Sequence, residues 1–167
     1  MEKGHYAPWV VAYNPAACES MKILAVASGG GHWIELLRLL PAFAGHSLCY
    51  CTVREEYRRD VGDARLYVVR DATRWTPVSL GLLAVQAFLV VLRTRPDVVV
   101  TTGAAPGYFC IRWGKLLGAR TVFVDSLANA EQLSKSAQMA GRYSDLWLTQ
   151  WEQLATDNGP EFSGKVI

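Results

Sequence analysis

Three contiguous glycines, Gly29, Gly30 and Gly31, follow Ser28 and lead straight into His32 in the stretch VASGGGHWIELLRLL, between an apolar run and a helical pattern. Glycine lets a backbone turn sharply without a β-carbon, so several N–H groups and the start of the next helix can face an anion such as a diphosphate. Imidazole titrates near neutral pH, which makes His32 a candidate to orient or deprotonate a hydroxyl at the mouth of such a loop. The spacing is neither the GxGxxG of a dinucleotide site nor a Walker loop, because the glycines are contiguous and no GK[ST] follows. On this pattern alone, an anion site and a plain glycine turn with a helix-entry histidine stand level.

A second stretch, PDVVVTTGAAPGYFC, repeats the layout: Thr101, Thr102, Gly103, Ala104, Ala105 and Gly107 are small, and Pro106 suits a first helical turn. Two small-residue loops that each open a helix at one edge of a sheet would converge on a single cleft. A third strand end, VFVDS, adds Asp125 and Ser126, either as helix N-caps or as site groups. No metal-ligand spacing is visible, and no cofactor is expected.

The elements that must position these residues alternate along the chain. KILAVAS, HSLCYCTV, RLYVVR, PDVVVTT, RTVFVDS and DLWLTQW read as strands. HWIELLRLLPAF, TPVSLGLLAVQAFLVVLRTR and PGYFCIRWGKLLG read as helices between them. Such alternation predicts an α/β, Rossmann-like domain with a parallel sheet and helices on both faces. In such sheets ligands bind at the carboxyl ends of the strands, where both glycine-bearing loops fall. The apolar run Val78 to Leu92 is shorter than a membrane span and carries Gln86 at its centre. A buried crossover helix is the expectation there, with peripheral membrane contact left open.

The chain has 167 residues, the usual size of one domain, with 51% hydrophobic and 19% charged residues, enough apolar material for a core. Its net charge of +2 is nearly balanced. The segment from Arg54 to Arg74 sets six arginines against Glu55, Glu56, Asp60, Asp63 and Asp71, which argues against a nucleic-acid partner. Cysteines 18, 49, 51 and 110 show no CxxC pair, and Cys49 and Cys51 share one face of a strand, so buried reduced thiols are expected. Residues 1–20 lack a sustained period and fit neither a signal peptide nor a lipoprotein site, so they read as an extension before a domain over 21–155. Residues 156–167 read as a tail.

Three stretches, MKILAVASGGGHWIELLRLL, RPDVVVTTGAAPG and DLWLTQWEQLA, together resemble in order and spacing the acceptor-side half of inverting GT-B glycosyltransferases. The resemblance is to the Alg-fourteen family, the membrane-recruiting subunits of two-chain N-acetylglucosaminyltransferases, and to their bacterial exopolysaccharide relatives. It implies a half-enzyme equivalent to the N-terminal half of a GT-B transferase. A small donor-binding chain would supply the UDP-sugar site, and the stop at GKVI, where a one-chain enzyme would cross into its second domain, fits that expectation. The acceptor would be a lipid-linked sugar, and the location the cytoplasmic face of the inner or plasma membrane.

The resemblance further implies that Ser28, Gly29, Gly30, Gly31, Thr102, Gly103, Ala104 and Gly107 hold the acceptor diphosphate, with His32 and Asp125 as catalytic groups. Asp125 stands where the family commonly has glutamate, one methylene longer, and DSLANAEQL replaces an arginine-containing run. The family's N-terminal anchor has no counterpart in WVVAY, so attachment would be peripheral, with Trp33, Ile34, Leu37 and Arg38 either core or membrane face. A non-catalytic membrane scaffold and a phosphate-binding Rossmann enzyme of another class are the competing readings.

Overall fold

The structure, a computed structural model, describes residues 19–73 and 75–166. The expectation for residues 1–18, Cys18 included, lies outside the described residues, as does Arg74. Seven strands form one sheet: β1 Lys22–Val26, β2 Ser47–Thr52, β3 Arg65–Val68, β4 Val98–Thr101, β5 Arg120–Val124, β6 Leu146–Thr149 and β7 Glu161–Phe162. Every pairing is parallel, in the order β3-β2-β1-β4-β5-β6-β7. Four helices cross between them: α1 Gly31–Leu39, α2 Pro77–Thr94, α3 Ala104–Leu116 and α4 Lys135–Ala140. The Rossmann-like parallel sheet expected from the alternation is the fold observed.

Alternate residues of each strand serve opposite faces of the sheet. Leu24, Val26, Val99 and Phe123 pack under α2 and α3, whereas Ala25, Ala27, Tyr50 and Leu66 pack against Trp33 and Leu36 of α1. Both faces are therefore dry, which explains why the strands read as continuous apolar runs. Order reverses between β1 and β4, whose ends lie side by side through the pairs Val26 with Thr101 and Ala25 with Val100. This switch point is where the two loops of interest emerge.

The structure adds to the sequence expectation at three points. The sheet takes in β7, two residues from within the stretch assigned to a tail, and Val166 N–H donates to Gln150 Oε1 at 2.8 Å. Its brevity removes any periodic signal. Trp33, considered for a membrane face, is core: it is 1% exposed, donates its indole N–H to Asp60 at 2.8 Å and stacks on Tyr57 at 4.6 Å. That clasp folds the 3-10 turn Glu55–Asp60 back toward the loop after β1.

The third is α2, expected to be a buried crossover helix. It does cross from β3 to β4 and packs on α3, with the Trp113 indole donating to Ala84 O at 2.9 Å. Only Leu83, Ala87, Val90 and Val91 are buried, and its 18 residues are long and apolar enough to meet a membrane span by length and composition. Val78, Leu82, Val85, Leu89 and Leu92 are all exposed, Val78 to 77%. Their spacing of four, three, four and three residues draws one apolar row along the outside of the helix.

Candidate functional site

β1 ends in Val26 and the chain turns through Ser28 to Gly31 into α1. Gly30 sits at φ 59 and ψ −130 as the residue that caps α1, a conformation open to glycine and strained for others. Its carbonyl accepts from Trp33 and Ile34 N–H, and its own N–H donates to the Tyr57 hydroxyl at 2.9 Å. Gly29 lies against Arg54, for a β-carbon there would fall 2.9 Å from Arg54 Nε. Arg54 in turn pairs with Glu56 at 3.0 Å, and that carboxylate raises the guanidinium pKa further above its usual value. The glycine loop thus has a guanidinium and a phenol beside it, both from the turn after β2, and one of its amides is already taken. The amides of Gly31 and His32 remain as first-turn donors that the helix cannot itself satisfy.

The second loop meets the first through His32. Thr102 Oγ1 donates to His32 O at 2.7 Å, and a β-carbon on Gly103 would stand 3.3 Å from His32 Cε1 and 3.6 Å from Nδ1. Gly103 also has φ 123, and Ala104 follows at φ 63, two consecutive positive values at the start of α3. A non-glycine residue in the left-handed region costs about 1–2 kcal/mol, so the fold holds Ala104 there under strain. His32 Nδ1 is buried and has no hydrogen-bond partner among the described residues. The two loops and the histidine do share one place at the switch point, as the sequence layout anticipated.

Other expected site residues are occupied with holding the fold. Ser28 O accepts from Thr52 Oγ1 at 2.6 Å. Gly107 lies inside α3, where a β-carbon would meet Thr101 Oγ1 at 2.1 Å, so its glycine serves the close approach of α3 to β4 instead of facing a ligand. Asp125 is 1% exposed; its Oδ1 accepts from Ser126 N–H and Asn129 Nδ2, and its Oδ2 from Ser134 N–H at 2.9 Å. The sequence-based expectation of a catalytic carboxylate gives way here to one that ties down the loop from β5 to α4. Among the described residues, no group of three His, Cys, Asp or Glu side chains is placed to hold a metal ion.

Sequence reasoning missed a buried acid at the centre of this region. Glu35, 7% exposed on α1, accepts from Ser126 Oγ at 2.8 Å and Leu127 N–H at 3.2 Å through Oε1, and from Gln150 Nε2 at 3.1 Å through Oε2. Gln150 Nε2 also donates to Asp125 O at 2.9 Å. One carboxylate therefore locks the helix that carries His32 to the ends of β5 and β6. The available signal was its position: Glu35 falls between Trp33 and Leu36 on the buried stripe of α1, where an unpaired charge would be prohibitive.

Comparison with known proteins places this arrangement. The family model described as "Oligosaccharide biosynthesis protein Alg14 like" matches residues 61–165. The chain belongs to the Alg14 family. Two relatives are named UDP-N-acetylglucosamine transferase subunit ALG14. That of Eremothecium gossypii is 28% identical over 184 residues, covering 86% of this chain and 82% of the relative. That of Yarrowia lipolytica is 25% identical over 163 residues, covering 80% and 75%.

Among solved structures, Acinetobacter baumannii MurG superposes with a TM-score of 0.71 at 11% identity over 86% of this chain. UDP-N-acetylglucosamine 2-epimerase from Rickettsia bellii gives 0.67 at 15% identity over 89%. These likenesses carry the fold alone, and this chain spans 45% and 46% of the two enzymes' lengths. As an Alg14-family protein the chain is a glycosyltransferase subunit with the Rossmann-like fold of a GT-B N-terminal half. A phosphate-binding Rossmann enzyme of another class is thereby set aside.

Proposed function

We propose that this chain is the acceptor-binding, membrane-recruiting subunit of an inverting transferase that moves a sugar from a UDP-sugar to a diphosphate-linked lipid. The observation that carries the reading is the meeting of the β1 and β4 loops around His32 at the topological switch point. An anion there would face the Gly31 and His32 amides at the start of α1, with Arg54 beside Gly29, and the strained Gly103–Ala104 turn at the start of α3. Ser28, Thr102 and Gly107 contribute by shaping the two loops. N-acetylglucosamine is the sugar proposed, because both relatives bear that transferase name.

In this reading the acceptor hydroxyl sits beside His32, which orients it or takes its proton as the bond to the sugar forms. Glu35, Gln150 and Asp125 hold the helix and loops that frame the ring. A small donor-binding chain brings the UDP-sugar across the cleft. The exposed row on α2 supports peripheral attachment, at the cytoplasmic face of the inner or plasma membrane; on α1 Trp33 is core and Ile34 is exposed.

The test is co-expression with a small chain resembling a GT-B donor half, and transfer measured from UDP-sugars to a diphosphate-linked lipid. Transfer with both chains and with neither alone is the expected result; no transfer and no co-purification would overturn it. His32→Ala separates a pure scaffold, which keeps full transfer in the complex, from the acceptor-binding role, in which kcat falls about 10²-fold or more.

A further inference from the structure

Ala104 and Ala105 open α3 beside the second loop, and they also wall a groove of about 390 Å³. Leu80 of α2, Tyr108 and Phe109 of α3 and Met139 of α4 complete its apolar lining, and exposed Lys135 is the cation on its wall. Its size falls in the range of sites that seat small organic ligands, about 300–1,000 Å³. Met139 is 49% exposed, so apolar surface is left uncovered there, and a thioether adapts to irregular hydrocarbon.

We propose that this groove takes the first segment of the acceptor's hydrocarbon chain, next to its diphosphate. The inference rests on the reading of the chain as a binder of a diphosphate-linked lipid, and it adds where the lipid goes. Such a ligand is an amphiphile, with a dianionic head joined directly to a chain that water disfavours. A matching site needs an anion field that passes without a gap into apolar walls, with a cation near the junction. The first turn of α3 provides that junction, because its N-terminus belongs to the loop around His32 and its Ala104 and Ala105 side chains belong to the groove. Lys135 supplies the charge complement. Through Leu80 the groove adjoins the inner face of α2.

Titration calorimetry on the full chain tests this with geranyl diphosphate, inorganic diphosphate and geraniol. Geranyl diphosphate should bind at least about tenfold tighter than inorganic diphosphate, equivalent to about 1.4 kcal/mol. Met139→Trp and Ser136→Phe, which fill the groove from exposed or half-exposed positions, should reduce that preference to twofold or less while leaving inorganic diphosphate unchanged. Equal affinity of the wild type for the two diphosphates overturns the groove proposal and needs no variant. A variant that weakens both ligands alike overturns it as well.

Binding of geraniol that the variants abolish, with no binding of inorganic diphosphate, would support the groove and refute the diphosphate reading. Binding of none of the three refutes both. Concentration-dependent dimers lost in Met139→Trp would give the groove to a second copy of the chain and overturn the lipid assignment.

Discussion

Replacing Glu35 by glutamine keeps the volume and changes the charge and hydrogen-bond polarity of a buried site, so it isolates what the carboxylate does. All three partners of Glu35 are donors: Ser126 Oγ, Leu127 N–H and Gln150 Nε2. A carboxylate accepts from all of them, whereas an amide offers one acceptor oxygen and one NH₂. With the oxygen toward Ser126 and Leu127, two bonds survive without their charge assistance, a loss of about 1–2 kcal/mol together. The NH₂ then confronts the Gln150 NH₂. Gln150 cannot turn over cheaply, because its Nε2 donates to Asp125 O and its Oε1 accepts from Val166 N–H.

One unsatisfied buried pair adds about 1–3 kcal/mol, for a total near 3 kcal/mol. At about 2–4 °C per kcal/mol for a chain of this size, Glu35→Gln should lower Tm by roughly 6–12 °C. Differential scanning calorimetry with circular dichroism reads the shift directly. Ser126→Ala is the control; it removes one donor, leaves the carboxylate two others, and should cost about 1 kcal/mol. A Glu35→Gln protein melting within 2 °C of wild type would refute the claim that the donor set demands a carboxylate.

Gly107→Ala should destabilise by about 2–4 kcal/mol, since its β-carbon would displace the Thr101 hydroxyl from Val26 O and Gly103 N–H. In a double-mutant cycle with Thr101→Ala the combined cost should fall below the sum, and strict additivity would contradict that contact. Burial raises the Cys49 thiol to about 11, so in a Cys18→Ser background iodoacetamide labelling at pH 7.5 should stay slow and climb with pH toward that value. Rapid labelling of Cys49 at neutral pH would show the thiol to be exposed. Val78→Gln with Leu82→Gln, and separately Leu89→Gln with Leu92→Gln, should each leave Tm nearly unchanged while weakening sedimentation with anionic vesicles. The first pair should reduce transfer to lipid acceptor more than the second, and equal effects would count against a membrane contact at the N-terminal end of α2.

Much of this was legible because the relevant signals are local. Glycine contiguity, the small residues from Thr101 to Gly107 and apolar runs at regular intervals each report backbone geometry within a few positions, and together they locate the cleft. Partner choice among buried polar groups is not local. Glu35 and Gln150 are separated by 115 positions, so nothing near either betrays their bond. Asp125 fails for the same reason. A carboxylate at a strand end looks available until Ser126, Asn129 and Ser134 are seen to consume it. The outer face of α2 stayed an open alternative to a buried crossover helix because periodicity cannot count the neighbours.

That outer face bears on where the cleft must open. α2 begins at Pro77, soon after β3 ends at Val68, so its N-terminal half lies toward the carboxyl edge of the sheet that carries the loops around His32. Helical rise puts Leu92 about 21 Å further along the axis than Val78, toward the opposite edge. A lipid-linked acceptor keeps its diphosphate at the level of the headgroups, so a membrane-bound orientation is productive only if it lowers the switch point to that level. Contact through Val78 and Leu82 does so, because both lie at the end of α2 nearest the carboxyl edge of the sheet. Contact centred on Leu92 would lift the loops away from the surface. On the proposed membrane-recruiting role the apolar row acts by position, and its two ends should not be equivalent.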